Sequence, residues 1–161
     1  VKPLHQGTLP SASPTEVSAF ARNFETITRQ MSAFYFKFEK TSKRIKALEH
    51  ALDQSSMAPG KLEVALDILS KDINKLNTEV NGNAAKNEIG EKSKPTLGER
   101  SFAVYRGIER STYGPTASHK EQMIIIEKQL KEQEITLSSI DQRMDAIYNQ
   151  MKAAGAPFVE E

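Results

Sequence analysis

Between Val17 and Leu52 apolar residues recur at intervals that alternate three and four: Val17, Phe20, Phe24, Ile27, Met31, Phe34, Phe38, Thr41, Ile45, Leu48 and Leu52. Thr41 is the one polar member. Such a stripe stays on one side of an α-helix for its whole length and must be covered by other helices, so it predicts a left-handed supercoil or a helical bundle. The start is also written in the sequence. Ser13-Pro14-Thr15-Glu16 is a capping box with proline at the first helical position. In that motif the serine hydroxyl accepts from the Glu16 amide and the Glu16 carboxylate accepts from the Ser13 amide. A helix over 14–54 is expected, ~60 Å long at 1.5 Å per residue.

The same pattern recurs twice. Leu62, Leu66, Leu69, Ile73, Leu76 and Val80 predict a shorter helix over 59–81 after a turn at Ser55–Gly60, and Asn81-Gly82-Asn83 closes it. Met123, Ile126, Leu130, Gln133, Leu137, Ile140, Met144, Ile147 and Met151 predict a second long helix over 117–154. Thr116 or Ser118 is its expected cap, Ser118 with Glu121 forming a further candidate box, and Gly155 and Pro157 its stop. Between them, 82–96 reads as a polar loop. Residues 96–111 read as a less regular helix, weakened by Gly98 and Gly107.

These elements predict an all-α, elongated antiparallel helical bundle: two long helices (about 14–54 and 117–154) and two shorter ones (about 59–81 and 96–111). The domain plan is a linker at 1–12, a single helical bundle domain at 13–158 and a tail at 159–161. Short connections favour antiparallel neighbours. The long helices are therefore expected to oppose each other, with the third helix climbing back and both termini at one end. Met123-Ile124-Ile125-Ile126, apolar nearly all round, suggests that the last helix begins among three others. Its later half would pair with Val17–Met31 alone. A polar change at Phe24 or Ile147 should then be costly, and one at Lys43 should not.

Composition narrows the function. Lys and Arg number 22 and Asp and Glu 21, a balance that argues against a dedicated nucleic-acid binder. Cysteine is absent, which removes disulfides, thiolate metal sites and cysteine nucleophiles. No apolar run is long enough for membrane insertion. His5, His50 and His119 have no ligand spacing around them, and His50 points away from the seam. Lys37, Lys40, Lys43, Arg44 and Lys46 form a basic stretch that Glu39 interrupts, and the Glu39–Lys43 spacing suits an ion pair on a solvated face. No acid–base pair, phosphate loop or nucleophile elbow is discernible, so catalytic, cofactor and metal residues are all expected to be none. Phe36 lies opposite the seam. With Tyr35, Phe24, Met144, Tyr148 and Phe158 it makes a candidate interaction surface.

Ser111-Thr112, Pro115-Thr116, Lys120-Glu121-Gln122 and Ala153-Ala154-Gly155-Ala156-Pro157-Phe158 resemble the extreme C-terminus of bacterial sortilin-like proteins. Those proteins carry neuraminidase-type repeats and are often described as glycosyl-hydrolase-like. The order of helices upstream is similar to theirs as well. Tyr113-Gly114 departs from the small residues usual there, and Val159-Glu160-Glu161 from the Pro-Gly-rich tail. The resemblance implies an exported parent, periplasmic or at the cell surface, with a β-propeller that holds any catalysis. This chain would be its non-catalytic accessory domain, packing through the heptad seams against other domains of the parent or against a second copy as a homodimer. A polysaccharide- or protein-binding module using exposed aromatics is the alternative.

Overall fold

The computed structural model describes residues 11–54, 60–111 and 113–155. Residues 55–59 of the expected turn, Thr112, His5, Pro157 and Phe158 lie outside the described residues. Among those described, the chain is an all-α helical bundle with no strand. Its elements are α1 (Pro14–Asp53), α2 (Lys61–Asn81), α3 (Ala84–Glu88), α4 (Leu97–Arg110) and α5 (Ala117–Ala153). α1 has 40 residues and α5 has 37, within a residue or so of the lengths expected from the seams.

The helix ends follow from local chemistry. Ser13 N–H donates to Glu16 Oε2 at 2.8 Å and Glu16 N–H to Ser13 Oγ at 3.2 Å, the reciprocal box expected there. At α5 the cap is Thr116, not Ser118. His119 N–H donates to Thr116 Oγ1 at 3.3 Å, and Thr116 N–H donates to His119 Nδ1 at 3.2 Å. An imidazole nitrogen thus takes the place that a glutamate usually fills at this position of the box. α4 has a box of its own, Thr96 with Glu99. Gly82, at φ +82, ends α2, and Gly155, at φ +79, follows α5. The stretch 82–96, expected to be loop throughout, contains α3, which Asn83 caps by accepting from Lys86 N–H at 3.2 Å.

The described chain forms two compact units. The first takes residues 11–32 and Pro95–Leu130, hence the first part of α1, α4 and the first part of α5. The second takes Ala33–Lys94 and residues 131–155, hence the rest of α1, α2, α3 and the rest of α5. In both, the seams are the core. Ile27 and Met31 are buried with Leu97, Val104, Met123 and Ile126 in the first. Phe34, Ile45, Leu48, Leu69, Leu76, Leu137 and Ile140 are among the buried residues of the second. Fully burying one such side chain contributes about 1.5–3 kcal/mol before entropy is counted.

The orientation differs from expectation in one respect. In the second unit α2 runs antiparallel to α5, as Gln133 with Glu79 and Arg143 with Asp72 show. α1 and α5 run the same way there: Thr41 Oγ1 donates to Asp141 at 2.6 Å, and Arg44 pairs with Asp145 at 2.9 Å. In the first unit the start of α1 lies beside the start of α5, Ala12 N–H donating to the Tyr113 carbonyl at 2.9 Å. α4 is antiparallel to α5, with Arg100 on Gln122 and Gly107 against His119. Each unit therefore sets one short helix antiparallel to two long segments that are parallel to each other, and α4 does not climb back. The physical reason is that a seam of alternating threes and fours reads alike in both directions, so it specifies burial without specifying direction.

This three-helix arrangement also explains Ile124 and Ile125. Ile124 is 66% exposed and Ile125 half-buried, because α1 and α4 cover only the Met123–Ile126–Leu130 face of α5. Nor does the later half of α5 pair with Val17–Met31. That half lies in the second unit with α2 and Ala33–Asp53, whereas Val17–Met31 belongs to the first.

Candidate interaction surface

The six residues singled out from the sequence do not share one environment. Phe24 is in the first unit, on the seam and half-buried. Tyr35, Phe36, Met144 and Tyr148 are in the second. Tyr35 is half-buried and sets its ring edge-on to Phe34, with centroids 5.7 Å apart. Met144 is buried in the core. Tyr148 is half-buried beneath the Arg44 guanidinium, 5.3 Å from its ring centroid. Phe36 alone of the four is free of the core, 73% exposed. Phe158 is outside the described residues.

Other exposed apolar side chains lie outside that candidate surface: Val64 and Ile68 on α2, Phe102 and Tyr105 on α4, and Ile124 and Ile135 on α5. Their signal was available. Val64, Ile68, Ile124 and Ile135 are apolar residues off the seams of their own helices, the criterion that singles out Phe36. Arg106 covers part of Phe102, its guanidinium carbon 5.5 Å from the ring centroid. The Tyr105 hydroxyl donates to Glu109 at 2.9 Å. That bond holds the phenol protonated and raises its pKa above the ordinary value.

The basic stretch is largely occupied. Lys43 pairs with Glu39 at 2.8 Å, as the spacing suggested, and holds the Glu39 carboxyl below its ordinary pKa by hydrogen bond and charge. Lys37 and Arg44 reach across to Asp141 and Asp145 at 2.9 Å each. Glu16 is likewise held below its ordinary value, first by the Ser13 backbone N–H and then by the Ser13 hydroxyl. Glu49 accepts from the hydroxyl of Ser70, which ties α1 to α2.

A groove of about 370 Å³ runs between α2 and α5 in the second unit, lined by Asp72, Leu76, Glu79, Ile135, Thr136 and Arg143 among others. The Arg143–Asp72 ion pair, 2.7 Å, joins its two sides. Gln133 is 3% exposed and donates to the Glu79 carbonyl at 3.5 Å. Glu79 is in the last turn of α2, where backbone carbonyls lack a partner within the helix, so this seam glutamine serves as a cap from a neighbouring helix. Among the described residues, Gln133 Oε1 and Arg100 Nε are the buried side-chain polar atoms without a hydrogen-bond partner.

His50 is exposed at the end of α1, and His119 is committed to the Thr116 cap. No group of three or more histidines and carboxylates that could hold a metal ion occurs among the described residues. Nor is any described helix long and apolar enough to cross a membrane. No family model, curated protein or solved structure matches the chain.

Proposed function

We propose that this chain is a non-catalytic helical accessory domain of a larger exported protein of the sortilin-like, β-propeller type, and that it docks on the rest of that protein. What supports the reading is the work its polar side chains do. Ser13, Glu16, Thr96, Glu99, Thr116 and His119 cap helices. Thr41, Arg44, Ser70, Arg143 and Gln133 join one helix to another. Groups of the kind that elsewhere act as acids, bases or nucleophiles are here employed in holding helices together. Because the seams are buried inside the units, docking falls to exposed apolar side chains such as Phe36 and the pair Val64 and Ile68.

The test is to titrate the isotope-labelled chain with the remainder of the polypeptide that its gene encodes. Saturable shifts centred on one set of these exposed residues are the expected result. A gene without a propeller segment, or turnover of a glycoside by this chain alone, would overturn the proposal. The exposed ring of Phe36 favours a second reading, a glycan- or protein-binding module. Binding of a polysaccharide that Phe36→Ser abolishes would establish it.

A further inference from the structure

We draw no further inference here: the strongest candidate, the groove between α2 and α5 beside the buried and half-satisfied Gln133, carries nothing because nothing in the structure shows what occupies it or directs the free Gln133 oxygen into it.

Discussion

Replacing Gly107 with alanine should reveal how α4 is fastened to α5, because the sign of its effect depends on one other residue. In the interior of an exposed helix, glycine to alanine gains about 1 kcal/mol from backbone entropy. Gly107 is such an interior position, and its φ is not in the left-handed region. A Cβ added there, however, would stand 2.1 Å from both Cε1 and Nε2 of His119. Carbon atoms in contact sit about 3.5–4.0 Å apart, so the imidazole must move. Its Nδ1 is the acceptor for Thr116 N–H at the start of α5, and a displaced ring loses that bond. Losing that one hydrogen bond, with the Thr116 hydroxyl still capping the helix, costs about 0.5–1.5 kcal/mol. Residual overpacking costs about 1–3 kcal/mol more. Against the helix gain, Gly107→Ala should destabilise the chain by about 1–3 kcal/mol. His119→Ala removes both the obstacle and the reciprocal bond to Thr116 N–H, while the Thr116 hydroxyl still accepts from the backbone N–H of residue 119, and in that background Gly107→Ala should stabilise by about 1 kcal/mol. A coupling of about 2–4 kcal/mol between the two sites follows. The assay is urea unfolding of the four proteins followed by helical circular dichroism. Stabilisation by Gly107→Ala in both backgrounds would refute the reasoning, since it would mean that the ring is not held against α4.

Ile140→Ala, at a position with no exposure, should cost about 2–5 kcal/mol. Phe36→Ser should change stability by no more than about 0.5 kcal/mol, and a cost near that of Ile140→Ala would mean that Phe36 is covered. Gln133→Met removes a buried oxygen without a partner, a burden of about 1–3 kcal/mol, and gives up one long hydrogen bond worth about 0.5–1.5 kcal/mol. A gain of about 1 kcal/mol, or ~2–4 °C in Tm, is expected; a comparable loss would show that the oxygen has a partner after all. The depressed Glu16 carboxyl contributes stability that is complete above its ordinary value of 4.5 and declines as pH falls through the lower folded-state value. Glu16→Gln should therefore narrow its gap from the parent as the medium is acidified below pH 4.5, and a gap that stays constant with pH would rule out this origin.

Burial was the legible part of the fold. Every α5 seam position from Met123 to Met151 is buried, Gln133 included, because a 3-4 spacing maps directly onto one helix face. The Ser13 box was legible for a similar reason: both partners lie within one turn, and the geometry needs no tertiary information. The Thr96-Leu97-Gly98-Glu99 box carries the same local signal at α4 and could have been read the same way. Gly107 was misleading. Its propensity reads as a defect, while its use is to let His119 approach, and a close approach between helices has no local signature. Ile124-Ile125 misled in the opposite sense. Apolar content suggested cover on every side, yet only the seam face of α5 is covered, and nothing in a single helix states how many neighbours it will have. The candidate surface was the least legible. Phe36 could be placed, since it lies opposite the seam, but Tyr35 and Tyr148 flank their seams, and how far a flanking ring is covered depends on what lies across from it.

Direction is carried by polar residues beside the seam, and the second unit shows how. On α1, Lys37, Thr41 and Arg44 fall at successive intervals of four and three; on α5, Asp141, Asp145 and Tyr148 do the same. Asp141 accepts from Thr41 and pairs with Lys37, Asp145 pairs with Arg44, and Arg44 lies over Tyr148. As exposed ion pairs these would be worth only about 0–1 kcal/mol each. Thr41 is different, since it is 4% exposed and its hydroxyl donates across to the Asp141 carboxylate, whereas Thr26, Thr28, Thr78 and Thr136 donate to the carbonyl four residues earlier in their own helices. A slip of one heptad keeps apolar residues facing apolar residues but moves Asp141 away, so Thr41 exchanges a bond to a charged group, worth about 1.5–3 kcal/mol, for a neutral one to its own helix, worth about 0.5–1.5 kcal/mol. The one polar member of the α1 seam therefore supplies what the apolar members cannot, a preference for one register. An antiparallel pairing could still match the charges of Lys37 and Arg44 with Asp145 and Asp141 in exchange. It is the threonine between them, bonded to Asp141, and the ring of Tyr148 beyond, that distinguish the two arrangements.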